Sequence, residues 1–249
     1  MPHIVFDIIG TCIGYDVMLD AIDKRIGSKL RQHDCNPELF FNAWGAACER
    51  DFSYLSLIGH YQPTKKILKS IFFRTLYHAG IKEPESIANE EDLDWLCDEW
   101  LKLKSRDGLP EMWKYLRDHG FTIWCLTDGD KERVKGYFLN SKLDMPDENI
   151  ISCDSLGVGK PTPSVYEFML NKIKTSSGSD ADENIWFGAA HAWDCCAARK
   201  AGFKTAWVDV YEKYPCDDIF GTNDVVASGL KEMGEKVVET HAKITKTSS

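Results

Sequence analysis

No stretch of the chain approaches the about 18 consecutive apolar residues that a helix needs to span a bilayer, which argues against a membrane-spanning segment. The amino terminus, MPHIVFD, enters an apolar run without a basic region and apolar signal core. No targeting segment is therefore expected, and the cytoplasm is the expected compartment. Positive charge is also scarce: 30 Lys and Arg stand against 39 Asp and Glu, for a formal net charge of -9, and no basic cluster offsets it. That balance disfavours a nucleic-acid or anionic-membrane surface. Paired cysteines are missing. The nine cysteines, at 12, 35, 48, 97, 125, 153, 195, 196 and 216, are odd in number and contain no CxxC. They read as buried or incidental thiols in a reducing compartment, against a disulfide framework or a zinc site. Neighbouring Cys195 and Cys196 would point in different directions on a helix. No internal repeat or low-complexity domain is present.

What is present is a composition of 43% apolar and 28% charged residues over 249 positions, enough to bury a substantial core without staples. In the first stretch, HIVFDIIGT, the β-favouring run Ile4-Val5-Phe6 ends at Asp7, and Gly10-Thr11 breaks it. Residues 15 to 104 then read as helical, with amphipathic runs at about 17 to 32, 38 to 58 and 90 to 104 and another after Pro63, and with no convincing strand. From Pro110 helix and strand alternate, the signature of a parallel sheet with crossover helices. Strands are expected at 121–126, 149–152, 184–187 and 205–208, helices at 110–119, 163–174, 194–201 and 227–241. A flexible loop is expected at 175–182 and a frayed tail at KITKTSS. The fold expected is α/β, a Rossmann-like parallel sheet flanked by helices with an inserted all-helical cap. Residues 1–14 and 105–249 would form the core, and 15–104 the cap over the carboxyl ends of the sheet, covering Asp7 and excluding water.

The ends and loops of these strands carry the chemistry. They offer Asp7, Thr127 with Asp128, Lys160, and His191 with Asp194, on the edge where open α/β sheets bind ligands. A nucleophilic carboxylate, a hydroxyl, a lysine and a second acid gathered there suit attack on an electrophile that bears negative charge. Each residue also has a plainer reading. Asp7 could be a turn aspartate, Thr127 or Asp128 a helix cap, Lys160 a solvated loop lysine, His191 a satisfied core histidine and Asp194 a first-turn acid favoured by the helix dipole.

FDIIGT, LTDG, GKPTPSVY and AHAWD, in that order, resemble the four motifs of the haloacid dehalogenase superfamily of phosphatases and dehalogenases. KPxxxxY and the AWD triplet are most similar to the type II (S)-2-haloacid dehalogenases. The resemblance implies Asp7 as nucleophile, hydroxyls from Thr11 and Thr127, charge balance by Lys160, a site lined by Tyr166, a pocket wall at Trp193, and water activation aided by Asp194. Several positions depart from the pattern. Ile9 stands where the phosphatases place an acid/base aspartate and the dehalogenases a tyrosine. Ala189 and Ala190 stand where phosphatases carry a metal-binding acid, so no metal and no cofactor is expected. Asp128 and His191 replace two asparagines of the dehalogenases, Ala189 replaces a serine, and their cap arginine falls at Gly45, with Arg50 as a substitute. From the last two polar changes His191 is expected to act as general base for water attacking an Asp7 ester, oriented by Asp128. The reading is a metal-independent hydrolase forming that ester on an electrophilic carbon. Its rivals are a Mg2+ phosphatase, an epoxide-opening hydrolase and a non-catalytic binding protein on the same fold. The expected partner is a small-molecule substrate, with no nucleic acid and no membrane; a homodimer is left open.

Overall fold

Ile4, Val5 and Phe6 are fully buried because β1 (His3–Asp7) runs through the middle of a parallel sheet and is covered on both faces. The computed structural model describes residues 1–177 and 184–247. Among these, six strands follow the order β3-β2-β1-β4-β5-β6, each pair parallel. They are β1, β2 (Thr122–Thr127), β3 (Ile150–Ser152), β4 (Trp186–Ala189), β5 (Lys204–Val208) and β6 (Val225–Ala227). β1 pairs with β2 on one side and β4 on the other, so the order reverses at β1, the switch point at whose carboxyl end open α/β sheets bind ligands.

The chain divides into two compact units, one of Met1–Ile13, Ser105–Leu156 and Lys160–Ser249, the other of Gly14–Lys104 with Gly157–Gly159. The second unit is helical. α1 (Asp16–Ile22) continues through a π turn (Asp23–Gly27) into α2 (Ser28–Gln32), followed by α3 (Pro37–Leu57), α4 (Thr64–His78) and α5 (Glu90–Glu99). Asn36 starts α3 by accepting the Glu38 and Leu39 N–H groups, and Asn89 starts α5 in a capping box with Asp92. Phe40, Trp44 and Phe72 are its buried aromatic centre, with the Trp44 indole donating to the Leu68 carbonyl at 3.0 Å.

In the first unit α6 (Leu109–Asp118) leads into β2, α7 (Lys131–Asn140) into β3, and α8 (Cys153–Leu156) and α9 (Pro163–Ser177) precede β4. α10 (Ala192–Ala201) joins β4 to β5, α11 (Asp217–Phe220) joins β5 to β6, and α12 (Leu230–Thr247) closes the chain. Trp113, Trp186, Trp207, Phe6 and Phe187 fill the space between sheet and helices.

Three expectations are corrected. β6 was not legible, and the terminal helix begins after it at Leu230 rather than at 227. β4 lies two residues beyond the 184–187 span, because it is Trp186 to Ala189 that meets β5. The tail is helical as far as Thr247, with 248–249 outside the described residues. Of the loop expected at 175–182, Ser177 still ends α9 and the part from 178 on lies outside the described residues. All nine cysteines are free, seven of them buried. No helix among the described residues is long and apolar enough to cross a membrane.

Candidate active site

Asp7 is the last residue of β1, and the turn that follows folds back on itself. Cys12 and Ile13 donate to the Ile8 carbonyl at 2.9 Å, and Gly10 adopts φ 93, a conformation open to glycine. The turn returns Thr11 to Asp7, where its hydroxyl donates to Asp7 Oδ2 at 2.6 Å and accepts the Ala190 N–H at 2.8 Å. Thr11 thereby ties the loop after β1 to the loop after β4.

Lys160 is 2% exposed, so the solvated-loop reading is excluded. Its Nζ donates to Asp7 Oδ1 at 2.7 Å and to Asp194 Oδ2 at 2.5 Å. A buried ammonium is tolerable only with such partners. Asp194 sits in the first turn of α10, where the helix dipole favours an acid, and its Oδ1 accepts the Tyr166 hydroxyl at 2.5 Å. Tyr166, fully buried on α9, therefore stands behind Asp194. Trp193, partly exposed, lays its ring 5.6 Å from Lys160 Nζ and 5.5 Å from the His191 ring.

Protonation follows from this wiring. Burial pushes the Asp7 carboxyl up, but the Lys160 ammonium and His191 outweigh it and hold Asp7 well below the usual carboxylate range. Burial raises Asp194 above its ordinary value, with the nearby Asp7 charge adding and Lys160 opposing. Burial would lower Lys160, yet Asp194 and Asp7 hold it well above the usual lysine range. The centre thus contains an ionised Asp7 and a charged Lys160 at neutral pH.

Asp128 and His191, expected to pair, are each seen in a contact with another group. His191 Nδ1 lies 3.2 Å from Asp7 Oδ2, while Asp128 Oδ1 accepts the Lys160 backbone N–H at 3.0 Å. The loop after β2 hands Asp128 to the lysine segment, and the loop after β4 hands His191 to β1. Asp128 is pushed up to about 6 by burial, against the pull of Lys160. Neither Thr127 nor Asp128 caps α7, since Asp130 does so by accepting the Arg133 N–H at 2.8 Å. Thr127 Oγ1 instead accepts the Gly129 N–H at 3.0 Å, shaping the turn.

Two neighbours escaped the sequence reading. Tyr211 and Glu212 lie in the loop after β5; the Tyr211 ring is 5.1 Å from His191, and Glu212 accepts the Ala192 N–H at 2.7 Å. Their one signal is position, since any loop at the carboxyl edge of the sheet is a place to look. Among the described residues no group of three His, Cys, Asp or Glu is spaced to hold a metal ion.

Fold and site together define an α/β enzyme whose polar centre sits at the switch point of a parallel sheet. The chain belongs to the haloacid dehalogenase-like hydrolases, whose family model matches residues 1–202. It is similar to (S)-2-haloacid dehalogenase 2 of Pseudomonas sp. strain CBS-3, with 26% identity over 74% of this chain and 76% of the relative. A solved L-2-haloacid dehalogenase superposes with a TM-score of 0.77 at 17% identity, over 96% of this chain and 99% of the other. The L-2-haloacid dehalogenase of Xanthobacter autotrophicus with chloropropionic acid covalently bound gives 0.71 at 16% identity, over 94% and 97%.

Proposed function

We propose that this hydrolase cleaves a carbon–halogen bond, or one at a comparable carbon electrophile, through an ester on Asp7. The observation that carries the reading is the division of labour on the Asp7 carboxylate, with Oδ1 held by Lys160 and Oδ2 facing Thr11 and His191. Oδ2 attacks the substrate carbon; a C–O bond forms and the halide leaves with the bonding pair. Water then adds to Asp7 Cγ, and the charge that develops on Oδ1 meets Lys160 Nζ. His191 takes the proton from that water and returns it to Oδ2 as the Cγ–Oδ2 bond breaks, so that the product alcohol carries an oxygen from the enzyme. Asp194, fully buried with both oxygens occupied, acts by keeping Lys160 charged and placed rather than by touching the water. When Asp7 loses its charge to the ester, Asp194 is the counterion that remains to Lys160.

A single turnover of a 2-haloacid panel in heavy-oxygen water is expected to place label in the Asp7 carboxylate and none in the product. Label in the first-turnover product with Asp7 unmodified excludes the ester. Asp7→Asn should reduce turnover by at least about a thousandfold, the scale at which essential nucleophiles act. Ile9 and Ala189 offer no hard oxygen ligand from their side chains beside Asp7, so the rate should survive EDTA. A magnesium-dependent rate on a phosphate monoester would favour the phosphatase instead.

A further inference from the structure

We infer that Glu212 is a positioning residue for His191, imported from the loop after β5 to hold the first turn of α10 and to keep the imidazole basic once Asp7 has become an ester. The inference rests on the proposed roles of Asp7 and His191.

A helix leaves its first N–H groups without intrahelical partners, and the usual remedy is the side chain of the N-cap residue or an acid in the first turn. In α10 both remedies are spent on the site. The N-cap residue is His191, which makes no side-chain cap bond and turns to Asp7. The first-turn acid is Asp194, whose oxygens serve Lys160 and Tyr166. Glu212 supplies the missing acceptor from another element, through Oε2 to the Ala192 N–H at 2.7 Å, directly beside His191. Burial raises its carboxyl, while the Ala192 N–H and the nearby His191 pull it down, so acid and imidazole feel one another. Trp207 links the same region by donating to the Ala190 carbonyl at 3.2 Å, which leaves the loops after β4 and β5 braced together.

Among the groups around His191 are Asp7 from β1, Tyr211 and Glu212 from the loop after β5, and Trp193 with Asp194 from its own helix, the last held by Lys160. Esterification neutralises Asp7. Asp194 is bound to the ammonium, while Glu212 keeps a charge that favours the protonated imidazole. A carboxylate bound to the N–H of the residue next to His191 raises the imidazole pKa and so keeps a better base in place for the water.

The test needs no substrate. The imidazole resonances of the full-length protein are titrated by NMR, with His191 assigned by its loss in His191→Gln, in the wild type and in Asp7→Asn, which carries the neutral charge of the ester. Glu212→Gln keeps an acceptor for the Ala192 N–H but no charge, whereas Glu212→Ala loses both, and Glu212→Asp restores the charge. In the Asp7→Asn background Glu212→Gln is expected to move the His191 midpoint down by about one pH unit, and Glu212→Asp to recover part of it. A His191 midpoint identical in Glu212→Gln and its parent, with Glu212→Ala merely lowering the melting temperature, overturns the inference and leaves Glu212 a helix cap. The heavy-oxygen experiment fails or succeeds independently, because it reads Asp7 alone.

Discussion

Asp7 and Asp128 stand at the ends of neighbouring strands and are both largely hidden from water, yet they titrate in opposite directions. Asp7 receives an ammonium, an imidazole and a hydroxyl on its two oxygens, whereas the bonds seen at Asp128 include the Lys160 backbone N–H and the Cys153 thiol, neither of them charged. Burial therefore wins at Asp128 and lifts it to about 6. Between the unfolded value and this one, the native state holds a proton that the unfolded chain has released. The stability this group contributes is thus complete below its unfolded pKa and is lost as pH rises through about 6. Asp128→Asn keeps an acceptor for the Lys160 N–H and cannot ionise. Relative to that variant the wild type should lose at most about 3 kcal/mol on going from pH 4 to pH 7, a figure set by 1.36 kcal/mol per pKa unit. Urea unfolding of both proteins at several pH values measures the difference, and a difference that does not change with pH sinks the assignment. The site residues themselves were legible because reactive types fell at successive strand ends in order: Asp7, Lys160, Asp194 and His191 do converge. Their pairing was not legible. That His191 meets Asp7 depends on how two loops cross the sheet edge, and Glu212 belongs to a polar loop with no pattern of its own.

Glycines on two elements give the same substitution opposite signs. On β4, a Cβ at Gly188 would sit 2.6 Å from the Phe6 ring and 3.3 Å from Met233 Sδ, both wholly buried, so neither can withdraw cheaply. Gly188→Ala is expected to cost about 1–3 kcal/mol, the price of overpacking a core. On α7, a Cβ at Gly136 meets nothing within 4 Å, and alanine there should stabilise by about 0.8–1 kcal/mol through helix propensity. Denaturant midpoints of the two variants check the pair; a neutral Gly188→Ala would mean that Phe6 has room the packing does not show. Elements with a strong signal of their own were visible in the chain. β1 and β5 are apolar runs bounded by turn residues, and α6 ends at Gly120 with φ 80. β6 was invisible for a physical reason. Three residues, with Val226 facing solvent between buried Val225 and Ala227, make too short an alternation to separate from the surrounding loop. The π turn within the α1–α2 stretch likewise leaves the helical period of 17 to 32 readable while adding a residue to one turn.

At the scale of the whole molecule, the chain leaves its α/β unit at Ile13 and re-enters it at Ser105, these two residues forming an antiparallel bridge, and Gly157–Gly159 alone return to the helical unit, where the Gly159 N–H donates to Ser56 Oγ at 2.8 Å. The Gly14 N–H donates to the Lys104 carbonyl at 3.0 Å just beyond, so the helical unit is attached by two adjacent strands of chain. The strand pairings of β1 lie outside the insertion: β1 pairs with β2 and β4, and Arg106 Nε donates to the Gly10 carbonyl at 3.0 Å to fasten the turn after β1. Asp7, Lys160, Asp194, Tyr166 and His191 also belong to that one unit. We therefore propose that 14–104 is an autonomous insertion, and that residues 1–13 joined to 105–249 by a short glycine linker fold alone. Replacing some ninety residues by a tight link lowers the loop-closure cost of pairing β1 with β2, since that cost grows with the logarithm of the intervening length. The variant is expected to melt in one cooperative transition with α/β circular dichroism and little dye binding. A non-cooperative melt with strong dye binding, the behaviour of a collapsed but unpacked state, would mean that the sheet depends on the insertion for its packing.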